Sequence, residues 1–80
     1  MFLGWYDPDK KKKAPAKLAE AVERYVEKFG GEPELVLTSF ADAEELAGGT
    51  SLPVRGVTFI GRYTYYVGVE DTPDSEPLAA

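Results

Sequence analysis

Between Pro15 and the Gly30-Gly31 pair, Leu18, Val22, Tyr25, Val26 and Phe29 recur at intervals of three and four residues, with Ala21 among them. Lys17, Glu20, Glu23, Arg24, Glu27 and Lys28 fall on the opposite side of the same wheel. Proline is favoured in a helix's first turn and glycine just past its end, so the spacing predicts one amphipathic helix with both boundaries marked. It is the only long helical pattern in the chain, and the other apolar runs are short. One such helix covers about one face of a small sheet. The other face must then be covered by a short helix, the N-terminal segment or another chain.

The sheet is read from the short runs. Met1 to Tyr6 is aromatic and apolar and is closed by Asp7-Pro8; Glu34 to Thr38 (ELVLT) reads as a buried strand. Ser39 followed three residues on by Asp42 is a capping-box-like start for a short helix from Phe40 to Leu46, with Asp in the place Glu or Gln usually takes. After the loop Gly48-Gly49-Thr50-Ser51, Pro53 to Ile60 and Tyr63 to Glu70 read as two strands. Gly61-Arg62 between them suits a type II′ hairpin. In that register Ile60 faces Tyr63, Thr58 faces Tyr65, Phe59 faces Thr64 and Val57 faces Tyr66, with Arg55 near Glu70. The predicted order β-α-β-α-β-β gives an α/β or α+β fold with a small mixed sheet. The first two strands are parallel and the long helix packs on one face. Residues 1–71 form one domain, and residues 72–80 an acidic, Pro-containing tail.

The chain contains no histidine, cysteine, asparagine or glutamine in its 80 residues. Histidine's absence removes the side chain that titrates near neutrality, and cysteine's absence removes a thiolate nucleophile, a soft metal ligand and any disulfide. Ser39, Thr50 and Ser51 could act as nucleophiles only with a Lys or carboxylate base, and the glycine loop lacks the lysine of a phosphate-binding loop. The chain therefore reads as a non-enzymatic protein with no cofactor. The same composition matches both heat-adapted proteins and GC-driven codon usage. A domain this small without disulfides gains most from oligomerisation.

The net charge of −5 opposes nucleic-acid and anionic-lipid binding. The start MFLGWYD has no basic region ahead of an apolar run, and no stretch is apolar enough to span a membrane, so the expectation is a cytoplasmic protein. Three candidate sites follow. Asp7 and Asp9, at the carboxyl end of the first strand with Ser39 at the corresponding end of the second, could bind a small ligand or a hard cation such as Mg or Ca, against the simpler reading of turn-forming Asp residues. Trp5 and Tyr6 beside Lys10, Lys11, Lys12 and Lys13 carry the ingredients of weak single-stranded nucleic-acid binding, against a solvated lead-in to the helix. Those lysines oppose the helix dipole and need a nearby carboxylate, with Asp7, Asp9 and Glu20 in reach. Val57, Phe59 and Tyr66 form an apolar side of the predicted hairpin that a monomer cannot easily bury, which points to a homodimer or a protein partner.

WYD (Trp5 to Asp7), RYVEKFG (Arg24 to Gly30) and YYVGVED (Tyr65 to Asp71) together resemble the layout of small uncharacterised bacterial proteins with an N-terminal WYD, a central helix ending in KFG and a C-terminal VGVE strand. The resemblance covers residues 5–71. Its motifs are structural, and it implies no activity and no catalytic residues. The reading is a small interaction domain, self-associating or serving as an accessory subunit.

Overall fold

A computed structural model describes residues 1–70; the tail expected over residues 72–80 lies outside the described residues. The long helix, α1 (Ala14–Phe29), has Pro15 in its first turn and ends at Gly30, whose φ of 80° is free of steric cost only for glycine and whose N–H reaches Val26 O at 2.8 Å. Leu18, Ala21 and Tyr25 supply its buried stripe. Phe29 lies at the rim of this stripe, its ring 4.7 Å from that of Tyr25. Lys17 departs from its expected solvent position: it is only 3% exposed, with Nζ 4.2 Å from the centre of the Tyr63 ring. Its aliphatic stem packs while the ammonium rests on the face of an aromatic ring.

Four strands accompany the helix: β1 (Phe2–Tyr6), β2 (Leu35–Thr38), β3 (Val54–Gly56) and β4 (Thr64–Gly68). A short helix, α2 (Phe40–Leu46), follows Ser39 as the capping pattern predicts, and Ser39 Oγ accepts the Asp42 N–H at 3.1 Å. The fold is therefore a small mixed α+β sandwich in the order β-α-β-α-β-β.

The sheet order is β1-β4-β2-β3, with β4 antiparallel to both neighbours and β3 parallel to β2. This corrects the hairpin. β3 and β4 are not partners, β3 is only three residues long, and Val57 bonds instead to β2 through its N–H and Thr38 O at 2.8 Å. Tyr65 therefore faces Trp5 and Thr38, Tyr66 faces Gly4 and Leu37, and Val67 faces Leu3 and Val36. Burial explains the preference: Tyr65 and Val67 are fully buried in the centre of the sheet, and a hairpin with the short edge strand would leave one side of β4 unpaired. β1 and β2 run parallel, as expected for the first β-α-β unit, with β4 inserted between them.

Both helices pack on one face. Leu18, Ala21, Tyr25 and Leu46 meet Val36, Tyr65 and Val67, while Leu3, Trp5 and Val54 border them. The close approach of β1 to β4 depends on Gly68, because a Cβ there would fall on Met1 O and Phe2 Cα, backbone atoms that cannot swing aside. Gly68→Ala is expected to destabilise the fold by roughly 3 kcal/mol by forcing the two strands apart. Gly61→Ala, where nothing lies within 4 Å, should stay within about 0.5 kcal/mol of the parent. Urea titrations of the two variants compare them directly.

Candidate functional site

Alternation along the strands places Phe2, Gly4 and Tyr6 of β1, Leu35 and Leu37 of β2, Arg55 of β3 and Thr64 and Tyr66 of β4 on the side away from both helices. Aromatic rings dominate this helix-free face. Tyr6 is 64% exposed, Tyr66 39% and Phe59, on the loop that follows β3, 81%. Phe2, Leu37, Phe59, Ile60 and Tyr66 line a groove of about 390 Å³ there, completed by Gly61 and Thr64, with no charged side chain in its lining among the described residues. Ile60 is buried beside the groove although it lies outside the main core. Of the three residues expected at an interface, Phe59 and Tyr66 line this groove; Val57 does not. Phe2, Leu37 and Ile60 join them because β4 sits beside β1 and β2, a pairing the hairpin reading concealed.

The chain beyond Phe59 and Ile60, at Arg62 and Tyr63, is held by one carboxylate. Asp42 is fully buried at the first turn of α2. Its Oδ2 accepts the Ser39 hydroxyl at 2.7 Å and the Tyr63 N–H at 2.7 Å, and its Oδ1 accepts the Arg62 Nε–H at 3.2 Å. Arg62 reaches on to Glu45 at 2.9 Å. Tyr63 has a φ of 65°, a left-handed conformation that costs a non-glycine residue about 1–2 kcal/mol. The bond to Asp42 and the Lys17 and Arg62 cations over its ring offset that cost. The Tyr63 carbonyl accepts the Asp7 N–H at 2.9 Å, so one residue links α2, β1 and β4. Beside this network the Tyr65 hydroxyl is buried without a hydrogen-bond partner among the described residues. Burial, followed by the negative charges of Asp42 and Glu45, raises its pKa and keeps the phenol neutral.

Asp7 and Asp9 are engaged in turn formation. Asp7 Oδ1 accepts the Asp9 N–H at 3.0 Å and Asp9 Oδ1 accepts the Lys11 N–H at 2.8 Å. Lys12 Nζ bridges Asp7 at 3.1 Å and Glu20 at 2.8 Å, which supplies two of the three carboxylates foreseen as offsetting the lysines. Ser39 is spent on Asp42 rather than turned toward Asp7. Among the described residues there is no group of three or more metal-ligating acidic side chains.

The nucleic-acid candidates are divided by the strand. Trp5 faces the helices, with the Arg24 guanidinium 5.5 Å from its ring centre, and Tyr6 faces away from them. The two rings do not make one stacking platform. Lys10, Lys12 and Lys13 line a shallow groove with Glu45, whose charge works against a phosphate, and Lys11 is exposed at the turn. No helix among the described residues is long and apolar enough to cross a membrane. Comparison with family models, curated proteins and solved structures finds no match to the chain.

Two measurements follow from this geometry. Asp42→Ala strips the buried Tyr63 N–H and the Arg62 guanidinium of their acceptor and should cost about 3 kcal/mol. In a domain of this size that corresponds to a drop of roughly 12–24 °C in Tm by calorimetry. The Asp9 N–H and then Lys12 lower the Asp7 pKa below its ordinary 3.8; Glu20 and then Asp7 raise that of Lys12 above 10.5. A lowered acid stabilises the fold above its unfolded pKa and loses that contribution as pH falls through the folded one. A raised base stabilises it below its unfolded pKa and loses that contribution as pH rises through the folded one. The stability difference between the parent and Asp7→Asn should therefore be flat between pH 3.8 and 10.5 and shrink outside that window, as read from urea titrations across pH.

Proposed function

We propose that this chain is a small interaction domain that associates with a second copy of itself through the helix-free face of its sheet. The observation that carries this reading is the aromatic groove of Phe2, Phe59 and Tyr66, open on a face that neither helix covers. Contiguous exposed apolar surface of this kind is a mark of interaction sites, and aromatic residues are enriched in them. A second copy fits because the groove carries no charge. Among the described residues no charged side chain lines the groove, so like-charge repulsion between described lining residues does not oppose the contact. Arg55 and Glu70, paired at 3.0 Å and each 56% exposed, place both signs beside the apolar centre in the manner of a polar rim. Their pairing adds little to the stability of the monomer.

Size-exclusion chromatography with light scattering tests the reading. The parent is expected at twice the chain mass at high concentration, and Phe59→Ser combined with Tyr66→Ser should weaken the dimer by about tenfold or more without unfolding the domain. A parent that stays monomeric throughout, or a dimer indifferent to both substitutions, overturns it.

A further inference from the structure

The two edges of the sheet differ. β3 is three residues long, follows Pro53 and carries Arg55 at its centre, devices that discourage a further strand. β1 is five residues long and contains neither charge nor proline. Its inner bonds are fixed by three contacts with the β4 side: Met1 exchanges both backbone bonds with Val69, at 2.9 and 3.1 Å, and the Asp7 N–H bonds Tyr63 O. Antiparallel pairing alternates, so Leu3 and Trp5 also bond inward, and the N–H and C=O groups of Phe2, Gly4 and Tyr6 point outward. These outward groups have no strand partner among the described residues.

We infer that β1 pairs antiparallel with β1 of a second copy about a two-fold axis at Gly4, forming one continuous sheet across the dimer. This goes beyond the face-mediated association proposed above: it uses the strand edge and needs only that the chain self-associates. In this register Gly4 faces Gly4, and Phe2 of each copy faces Tyr6 of the other, so every outward backbone group gains a partner. The side chains agree with the axis. Phe2 and Tyr6 stand symmetrically about Gly4 on the helix-free face, and facing aromatic rings are favourable cross-strand pairs. Glycine suits the position between them, because the Tyr66 ring lies over Gly4, 3.1 Å from where a Cβ would stand.

One charge pair on the helix side fits the same symmetry, beside Lys28 of each copy, which that pair does not neutralise. A second groove of about 390 Å³ follows this edge, lined by Leu3, Gly4, Trp5, Arg24, Glu27 and Lys28. The helix runs back against the direction of β1, so Arg24 stands at the level of Trp5 and Glu27 one turn further on, toward Leu3. A two-fold at Gly4 sets Trp5 beside Leu3 of the other copy. It thereby brings Arg24 of each copy level with Glu27 of the other. In the monomer these two residues pair along their own helix at 3.6 Å and are well exposed, so exchanging partners costs little.

Amide hydrogen exchange on the unmodified protein, read residue by residue by NMR at dilute and concentrated conditions, tests the pairing. The amides of Phe2, Gly4 and Tyr6 are expected to exchange roughly tenfold slower or more when the protein is concentrated, while those of Leu3 and Trp5 are protected in both. A dimer by light scattering whose Phe2, Gly4 and Tyr6 amides exchange as fast as in the dilute sample overturns the strand pairing and leaves the groove-mediated association standing. A monomer at every concentration overturns both.

Discussion

The buried carboxylate of Asp42 is the interaction on which the arrangement of this sheet depends. It caps its own helix through Ser39, receives the Tyr63 N–H and holds the Arg62 guanidinium. Those contacts fix where the chain enters β4. Tyr63, held in the left-handed region by them, turns the chain so that Thr64 begins a strand between β1 and β2, where the Thr38 hydroxyl donates to Thr64 O at 2.7 Å. Residues 57–63 are thereby a loop crossing from the sheet edge to its centre rather than a tight hairpin. A fully buried charge is tolerated here because both of its oxygens are occupied and a counter-charge stands beside it.

Much of this fold is legible in the sequence because local signals and burial agree over the first half. Pro15 and Gly30 mark α1, Ser39 and Asp42 mark α2, and short apolar runs mark β1 and β2. The second half is misread for a physical reason. Gly61-Arg62 is a competent turn signal, but a turn sets register only between strands that pair, and pairing is decided by where Tyr65 and Val67 can be buried from both sides. The centre of the sheet offers that; the neighbour of the three-residue β3 does not. Lys17 is misread because helical periodicity counts it as polar, whereas its stem is long enough to pack while its ammonium meets the Tyr63 ring.

The candidate surface was legible in part, for a related reason. Phe59 and Tyr66 stand out as aromatic residues without a place in the core, and they do share a groove. Their company changed because Phe2 comes from the opposite end of the chain, brought there by the insertion of β4. Asp42 gave only a capping signal. Its role in holding Arg62 and Tyr63 needs contacts spanning about twenty residues, which no local pattern encodes. Asp7 and Asp9 show the converse: carboxylates that suggest a cation site by type and position are consumed by turn and lysine contacts within their own segment.

A single long helix and a short one, both on one side, leave this sheet with an asymmetry that the sequence balances by charge placement. The outer surface of α1 and the lead-in lysines are strongly solvated, while the helix-free face keeps rings at its centre and the Arg55–Glu70 pair outside the groove. Association has to overcome several kcal/mol of lost translational and rotational freedom, and interface area alone does not guarantee it. What favours it here is preorganisation. Ile60 is buried, Phe2 and Tyr66 stand on paired strands, and among the described residues no lining side chain carries a charge that must be desolvated. In the proposed contact the rings of Phe2 and Tyr66 come from strands already paired in the sheet, so their backbone needs no further ordering on association.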